Sequence, residues 1–231
     1  MRSPEDLASW ARERAGVDQP WYLVSEIIGA FDLGLEVRPG LEKSGMLDLI
    51  DGQIAVVVRS SGMDAKRFSA AHELGHFLLA HEEGLPLIDQ LHDPKVERYC
   101  NEFASHLLIP RHWLRDRVLT RDQSFDTALD VAFQSQASLT SVLLALKESA
   151  GWRRDLLKWE RANSSWNLTR APSKRGYRSL RSSAQTQVLL DGVDDSPMLA
   201  TVHFSSNEGE REIEIELLRL GRSIFGLVGG H

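Results

Sequence analysis

The feature that most constrains this chain is an HExxH pentapeptide, His72-Glu73-Leu74-Gly75-His76, set in an apolar segment. Residues 68–80 are apolar nearly all the way round, which predicts that residues 64–82 form a helix buried on most of its faces. Residues four apart share one face of a helix, so the two imidazoles can reach the same metal ion. Buried histidine and glutamate side chains need polar partners, and a bound metal ion would supply them.

A third metal ligand is expected from the helix that follows. Asp93-Pro94 predicts a helix start, with Asp93 as the N-cap, and that helix is predicted to run to about Leu108. Glu97 lies in its first turns, where the helix dipole favours a carboxylate. With two histidines it completes the three-ligand set of catalytic zinc sites, which leave a fourth position open. Glu102 is the alternative third ligand, although it lies deeper in the helix and on another face.

Glu73 and Gly75 have separate interpretations within the pentapeptide. Glu73 lies beside the histidines without being an expected ligand. In HExxH chemistry it is the general base, which takes a proton from the attacking water and delivers it to the leaving amine. Gly75 lowers helix stability relative to alanine, so it indicates close approach of another backbone or a ligand, or simply a closely packed neighbour.

Periodicity along the rest of the chain predicts an α+β fold. Helices are expected over 4–15, 20–33, 64–82, 93–108, 125–133 and 138–149, with a short one after Pro110. Strands are expected over 35–38, 46–50 and 53–58, and again from about Thr186 onwards, most clearly at 212–217. Asp51-Gly52 predicts a hairpin between the second and third strands.

Composition narrows the class of protein. The apolar content of 42% and charged content of 26% are ordinary for a globular chain of 231 residues. Cys100 is the single cysteine, which fits a reducing cytoplasm, and neither a secretory signal nor a membrane span is expected. The net charge of −6 argues against a protein built mainly to coat nucleic acid. The basic segment 153–181 is interpreted as a solvated linker, with contact to nucleic acid or an acidic partner left open.

Two stretches of this sequence resemble the ImmA/IrrE family of metallopeptidases. RFSAAHELGHFLLAH and ERYCNEFASHLLIP follow the family pattern, and the resemblance covers roughly residues 20–118. Cys100 replaces an alanine of the pattern and Ile109 a methionine, which are both small or apolar exchanges. The matching positions are Arg67, Phe68, Ala71, His72, Glu73, Leu74, Gly75, His76, Glu97, Asn101, Phe103, Ala104, Leu107, Leu108 and Pro110.

The resemblance implies a function and a set of site residues. It implies a zinc-dependent endopeptidase that cuts a helix-turn-helix transcriptional repressor and so releases stress-response or mobile-element genes. Zn²⁺ is the expected cofactor, with Mn²⁺ or another divalent ion left open. Ligands would be His72, His76 and Glu97, with Glu73 as the base. Candidates for contact with these residues are His81, Cys100 and Asn101.

Cys100 and the strand over 53–58 each leave two interpretations open. Cys100 is interpreted as a small buried residue, the alternative being a redox-sensitive or additional metal ligand. The strand is either an edge strand to which an extended peptide substrate adds, as in zincins, or an ordinary interior strand.

Four regions are expected on this basis. Residues 1–120 would form a zincin-like catalytic core, a small sheet with active-site helices. Residues 121–150 resemble a helix-turn-helix-like pair, but 134–146 contain no Lys or Arg, so packing or substrate docking is favoured over DNA reading. Residues 151–185 would be a basic linker or hairpin, and 186–231 a β-rich region. The alternative function is a non-catalytic regulator with a structural zinc site, acting through protein–protein contacts.

Overall fold

The computed structural model describes residues 1–20, 22–90, 93–171, 184–206 and 209–229. In this part of the chain the helices are α1 (Pro4–Ala15), α2 (Val24–Gly29), α3 (Met63–His81), α4 (Leu87–Gln90), α5 (Pro94–Leu108), α6 (Arg111–Val118), α7 (Phe125–Ser135), α8 (Leu139–Ser149) and α9 (Ala184–Asp191). The strands are β1 (Gly34–Arg38), β2 (Gly45–Ile50), β3 (Gln53–Arg59), β4 (Asp155–Ala162), β5 (Ser165–Arg170), β6 (Met198–Ser206), β7 (Gly209–Leu220) and β8 (Ser223–Val228). The expected α+β class is confirmed.

The chain divides into two compact units. Unit 1 contains Met1–Leu119 and Asp130–Ala145, and unit 2 contains Thr120–Leu129 and Leu146–His231. The four predicted regions, with boundaries at residues 120, 150 and 185, stay a prediction. Among the described residues no single helix has the length and hydropathy of a membrane span; α7 and α8 pass that test only when joined across a bend of 109°.

Capping residues mark where helices of unit 1 begin and end. Ser3 caps α1 by accepting a hydrogen bond from the backbone N–H of Asp6, and Gly16 ends it at φ 68°. The helix predicted over 20–33 is shorter than expected, since α2 covers only Val24–Gly29. Asp32 adopts a left-handed φ of 58°, and this turn leads directly into β1.

The sheet of unit 1 has the strand order β1-β3-β2. β2 and β3 form the predicted hairpin, with Asp51 at φ 50° and Gly52 at φ 81° in the turn. β1 pairs in parallel with the other edge of β3, so β3 is the interior strand and not an edge. Both edges of its backbone are occupied by neighbours, which excludes β3 as a platform for an added peptide strand.

Unit 2 contains an antiparallel sheet with the order β5-β4-β8-β7-β6. β4 and β5 form a hairpin whose turn contains Asn163 at φ 57°. Trp159 and Trp166 are each 1% exposed and lie in the hydrophobic core of unit 2, which favours a packing role for both. Along β7, Ile213, Ile215 and Leu217 are buried, as the period-two pattern predicted.

The prediction that strands begin at about Thr186 was wrong for the first part of that region. Ala184–Asp191 forms α9, and strands start only at Met198. Thr186 and Leu190 lie four apart and are both buried, which is a helical spacing on one face. Residues 172–183 of the basic segment lie outside the described residues.

Candidate metal centre

Helix α3 holds His72, Glu73 and His76 in a largely buried setting. Leu74 and Leu78 are 0% exposed on this helix, as the apolar pattern predicted. Arg67, 7% exposed, anchors its first half by donating to the backbone carbonyls of Tyr22 (2.8 Å) and Pro20 (3.1 Å). These bonds restrict rotation of α3 about its axis, so the direction of the two histidines is set by the packing of the whole helix.

Helix α5 brings Glu97 to the histidines. Its start is the predicted one, since Asp93 accepts a hydrogen bond from the Lys95 backbone N–H at 2.8 Å. Gly75 explains the close approach of α3 and α5, because a Cβ there would lie 3.0 Å from Phe103 and 3.4 Å from Cys100. The packed-neighbour interpretation of Gly75 is therefore the one that the structure supports.

The three predicted ligands converge with a spacing that suits one metal ion. His72 Nε2 lies 3.1 Å from His76 Nε2 and 3.3 Å from Glu97 Oε2, and His76 Nε2 lies 3.5 Å from Glu97 Oε1. Donor atoms bonded to zinc at about 2.0–2.1 Å with tetrahedral angles are roughly 3.3 Å apart. The three side chains therefore fit a tetrahedral ion without rearrangement, and they form a group that can hold a metal.

The site is open on the side of Glu97. Its side chain is 50% exposed, whereas those of His72 and His76 are 14% and 13% exposed. Burial, and then the neighbouring His76, lower the pKa of His72, which favours the neutral imidazole that binds metals. The two histidines thus lie on the inner side of the group, and Glu97 lies on the side that faces solvent.

An amide side chain contacts the second ring nitrogen of each histidine. Asn101 Oδ1 lies 3.1 Å from His72 Nδ1, and Gln90 Oε1 lies 2.7 Å from His76 Nδ1. Asn101 was among the sequence candidates, but Gln90 was missed. It lies between the two helices that carry the candidate ligands, and only its partners in space distinguish it from other glutamines.

Glu73 lies beside the ligands under strand β2. Burial is the main factor that raises the pKa of its carboxyl above the ordinary range; His76 and Lys43 act in the opposite direction. A Cβ added at Gly45 would lie 2.9 Å from the Glu73 Cγ and Oε1 atoms. The carboxylate is thus held against the backbone of β2, and the sequence held no signal that Gly45 would be its neighbour.

The other candidate residues are not part of the three-residue group that can hold a metal. His81 is 67% exposed in its side chain and contacts Glu82 and the ring of Phe77. Cys100 is fully buried against Gly75, and burial raises the pKa of its thiol well above the usual range. Glu102 is exposed on the helix that carries Glu97.

Among the described residues, neither His106 nor His112 belongs to this group. His106 accepts a hydrogen bond from Arg111 at 3.2 Å and packs near α1, and His112 is exposed. His92 lies outside the described residues.

Comparison with known proteins agrees with this arrangement. Residues 49–141 match the family model described as IrrE N-terminal-like domain, Peptidase_M78. A solved structure described as a Mycobacterium tuberculosis transcriptional regulator is similar, with a TM-score of 0.60 and 12% sequence identity, covering 97% of this chain and 86% of that chain. At this identity the likeness shows the fold alone, and no curated protein gives a significant match. The resemblance read from the sequence is supported over residues 49–141, which match the IrrE N-terminal-like domain of the ImmA/IrrE metallopeptidases.

Proposed function

We propose that this protein is a cytoplasmic, zinc-dependent endopeptidase that cuts a specific helix-turn-helix transcriptional repressor and so controls stress-response or mobile-element genes. The observation that carries the proposal is the convergence of His72, His76 and Glu97 beside the half-buried Glu73. Two histidines and one carboxylate are a donor set of known zinc peptidases, although Mn²⁺ or another divalent ion also accepts these donors.

Each residue has a distinct role in the proposed hydrolysis. The metal, when bound, polarises the scissile carbonyl and makes water a stronger nucleophile. Glu73 accepts a proton from the water as the water oxygen bonds to the carbonyl carbon, and then passes that proton to the amine nitrogen as the C–N bond breaks. Burial raises the pKa of the Glu73 carboxyl, and a raised pKa makes its carboxylate a better acceptor for the proton of the attacking water.

Strand β2, and not β3, is the proposed platform for an extended substrate in the zincin-like core. Among the described residues β2 pairs with β3 alone, so its outer backbone edge is available for a further strand. Gly45 at the start of β2 lies directly over Glu73. A peptide paired with this edge by backbone hydrogen bonds would therefore pass close to the general base.

The α7–α8 pair is proposed to dock a protein substrate or to pack, and not to read DNA. The two helices meet at 109° across a short turn, a geometry typical of helix-turn-helix units. Residues 134–146 contain no Lys or Arg, which are the side chains that contact phosphate and guanine. The fold neighbour is described as a transcriptional regulator, and this description agrees with a role in transcription.

The decisive experiment is co-expression with candidate helix-turn-helix repressors, such as one encoded beside this protein. The wild type is expected to produce a cut repressor, whereas Glu73→Gln is expected to bind zinc and leave the repressor intact. Glu102→Gln is the matched control, since it removes an exposed carboxylate on α5 and should keep cleavage. Equal repressor levels in all three strains, with tight repressor binding, would support the non-catalytic regulator instead.

A further inference from the structure

Gln90 contacts both the ring and the backbone carbonyl of His76. It is the last residue of α4 and is 2% exposed, which is unusual for a glutamine unless its amide is fully bonded. Its Nε2 donates to the backbone carbonyls of Leu85 (2.8 Å) and His76 (3.1 Å). Its Oε1 lies 2.7 Å from His76 Nδ1.

The two carbonyls determine which way the Gln90 amide points. Both are acceptors only, so the amide nitrogen must face them, and a flipped amide would place oxygen against two oxygens. The amide oxygen is therefore left facing His76 Nδ1, and an acceptor there requires a proton on that ring nitrogen. The lone pair of the neutral ring then lies on Nε2, the atom that faces His72 and Glu97.

We propose that Gln90 is a positioning residue that selects the metal-binding tautomer of His76 and holds its ring at the metal site. This inference rests on the proposed metallopeptidase function for its purpose, but it concerns metal binding and not cleavage. A metal-ligating histidine usually donates its other ring N–H to a carboxylate or a backbone carbonyl. Loss of that hydrogen-bond acceptor typically weakens metal affinity by about 10–100-fold. Here the neutral amide of Gln90 has that role. It connects the backbone of Leu85, in the loop after α3, to His76.

Two substitutions separate positioning from simple packing. Gln90→Leu removes both the acceptor and the two donors. Gln90→Glu keeps an acceptor for Nδ1 but cannot donate to the carbonyls of Leu85 and His76. A positioning role predicts that Gln90→Leu weakens zinc binding by about 10-fold or more, while Gln90→Glu keeps affinity within about threefold of wild type although it lowers thermal stability.

Gln187→Leu is the matched control for loss of stability. Gln187, in unit 2, donates to the backbone carbonyl of Trp166 (2.9 Å) and accepts from its N–H (2.8 Å). Its replacement should lower the melting temperature of the protein without altering zinc affinity. This variant shows whether a reduced stability by itself changes metal binding.

The experiment measures zinc affinity by competition with a chromophoric chelator, using the full chain. It also measures the His76 tautomer by two-bond ¹H–¹⁵N correlation in metal-free, ¹⁵N-histidine-labelled protein, with signals assigned from His76→Gln. We expect Nδ1–H in the wild type and Gln90→Glu, and a mixture of tautomers in Gln90→Leu. Equal affinity of Gln90→Leu and wild type, an unchanged tautomer, or equal losses in both Gln90 variants would overturn the proposal. Cleavage is not measured, so an inactive enzyme would not affect this result.

Discussion

Gly45 lies so close to Glu73 that a single added methyl group would occupy the space of the Glu73 side chain. A Cβ at residue 45 would come within 2.9 Å of both Cγ and Oε1 of Glu73, closer than non-bonded carbon atoms approach. The glycine is thus explained by a neighbour on another element and not by its own backbone conformation.

Gly45→Ala is therefore expected to displace the Glu73 carboxylate while the metal ligands stay in place. A shift of about 1 Å in a catalytic group can lower turnover by about 10²-fold. We expect that loss in repressor cleavage, with zinc content unchanged by elemental analysis. Gly29→Ala is the control, because a Cβ there would meet nothing within 4 Å. Full activity of Gly45→Ala would show that Glu73 tolerates displacement or has another role.

Glu97 and Glu102 differ in what their loss should do to metal binding. The carboxylate of Glu97 lies 3.3 Å from His72 and 3.5 Å from His76, whereas Glu102 is exposed. Glu97→Ala leaves two protein ligands, so zinc should be lost on dialysis, while Glu102→Ala should retain about one zinc per chain. Retention of zinc by Glu97→Ala and its loss from Glu102→Ala would reverse the assignment of the third ligand.

His106 should make the stability of the protein depend on pH. Burial, and then the neighbouring Arg111, lower the pKa of His106 to about 4; Arg12 acts in the same direction and Glu5 opposes it. In the unfolded chain the pKa is about 6.5, so only the unfolded state takes up a proton between these values. The free energy of unfolding should therefore be highest above about pH 6.5 and fall as the pH drops towards 4.

The check on His106 is urea unfolding of metal-free protein at several pH values. In His106→Gln the amide oxygen can still accept from Arg111 but does not titrate, so the loss of stability at acidic pH should be smaller than in the wild type. The comparison between the two proteins removes contributions from other groups such as His72. Identical pH profiles would mean that His106 is protonated equally easily in both states.

Cys100 should resist chemical modification in the folded protein. Its side chain is 0% exposed and its thiol pKa is raised by burial, so little reactive thiolate forms. Mass spectrometry after treatment with a maleimide is expected to show no adduct in the native state and one adduct in denaturant. Rapid modification of the native, metal-loaded protein would instead support a redox-sensitive role near the metal.

Local patterns were enough to predict much of the site. HExxH on an apolar helix indicated two ligands and a base, and Asp93-Pro94 marked the start of the helix that carries Glu97. These features depend on residues close together in the chain, where helical spacing and capping decide the geometry. For the same reason the β2–β3 hairpin was predicted correctly from Asp51-Gly52.

Contacts between distant segments were decided only by the tertiary structure. β3 is an interior strand because β1 pairs with the edge of β3 that faces away from β2. No local sequence pattern reveals this strand order. α9 replaced a predicted strand because burial of one helical face outweighed weak local preference. The roles of Gly45 and Gln90 likewise depend on atoms supplied by other elements. The sequence by itself thus determined which residues are the candidate metal ligands, because helical spacing and capping are local, whereas long-range packing decided which neighbours orient them.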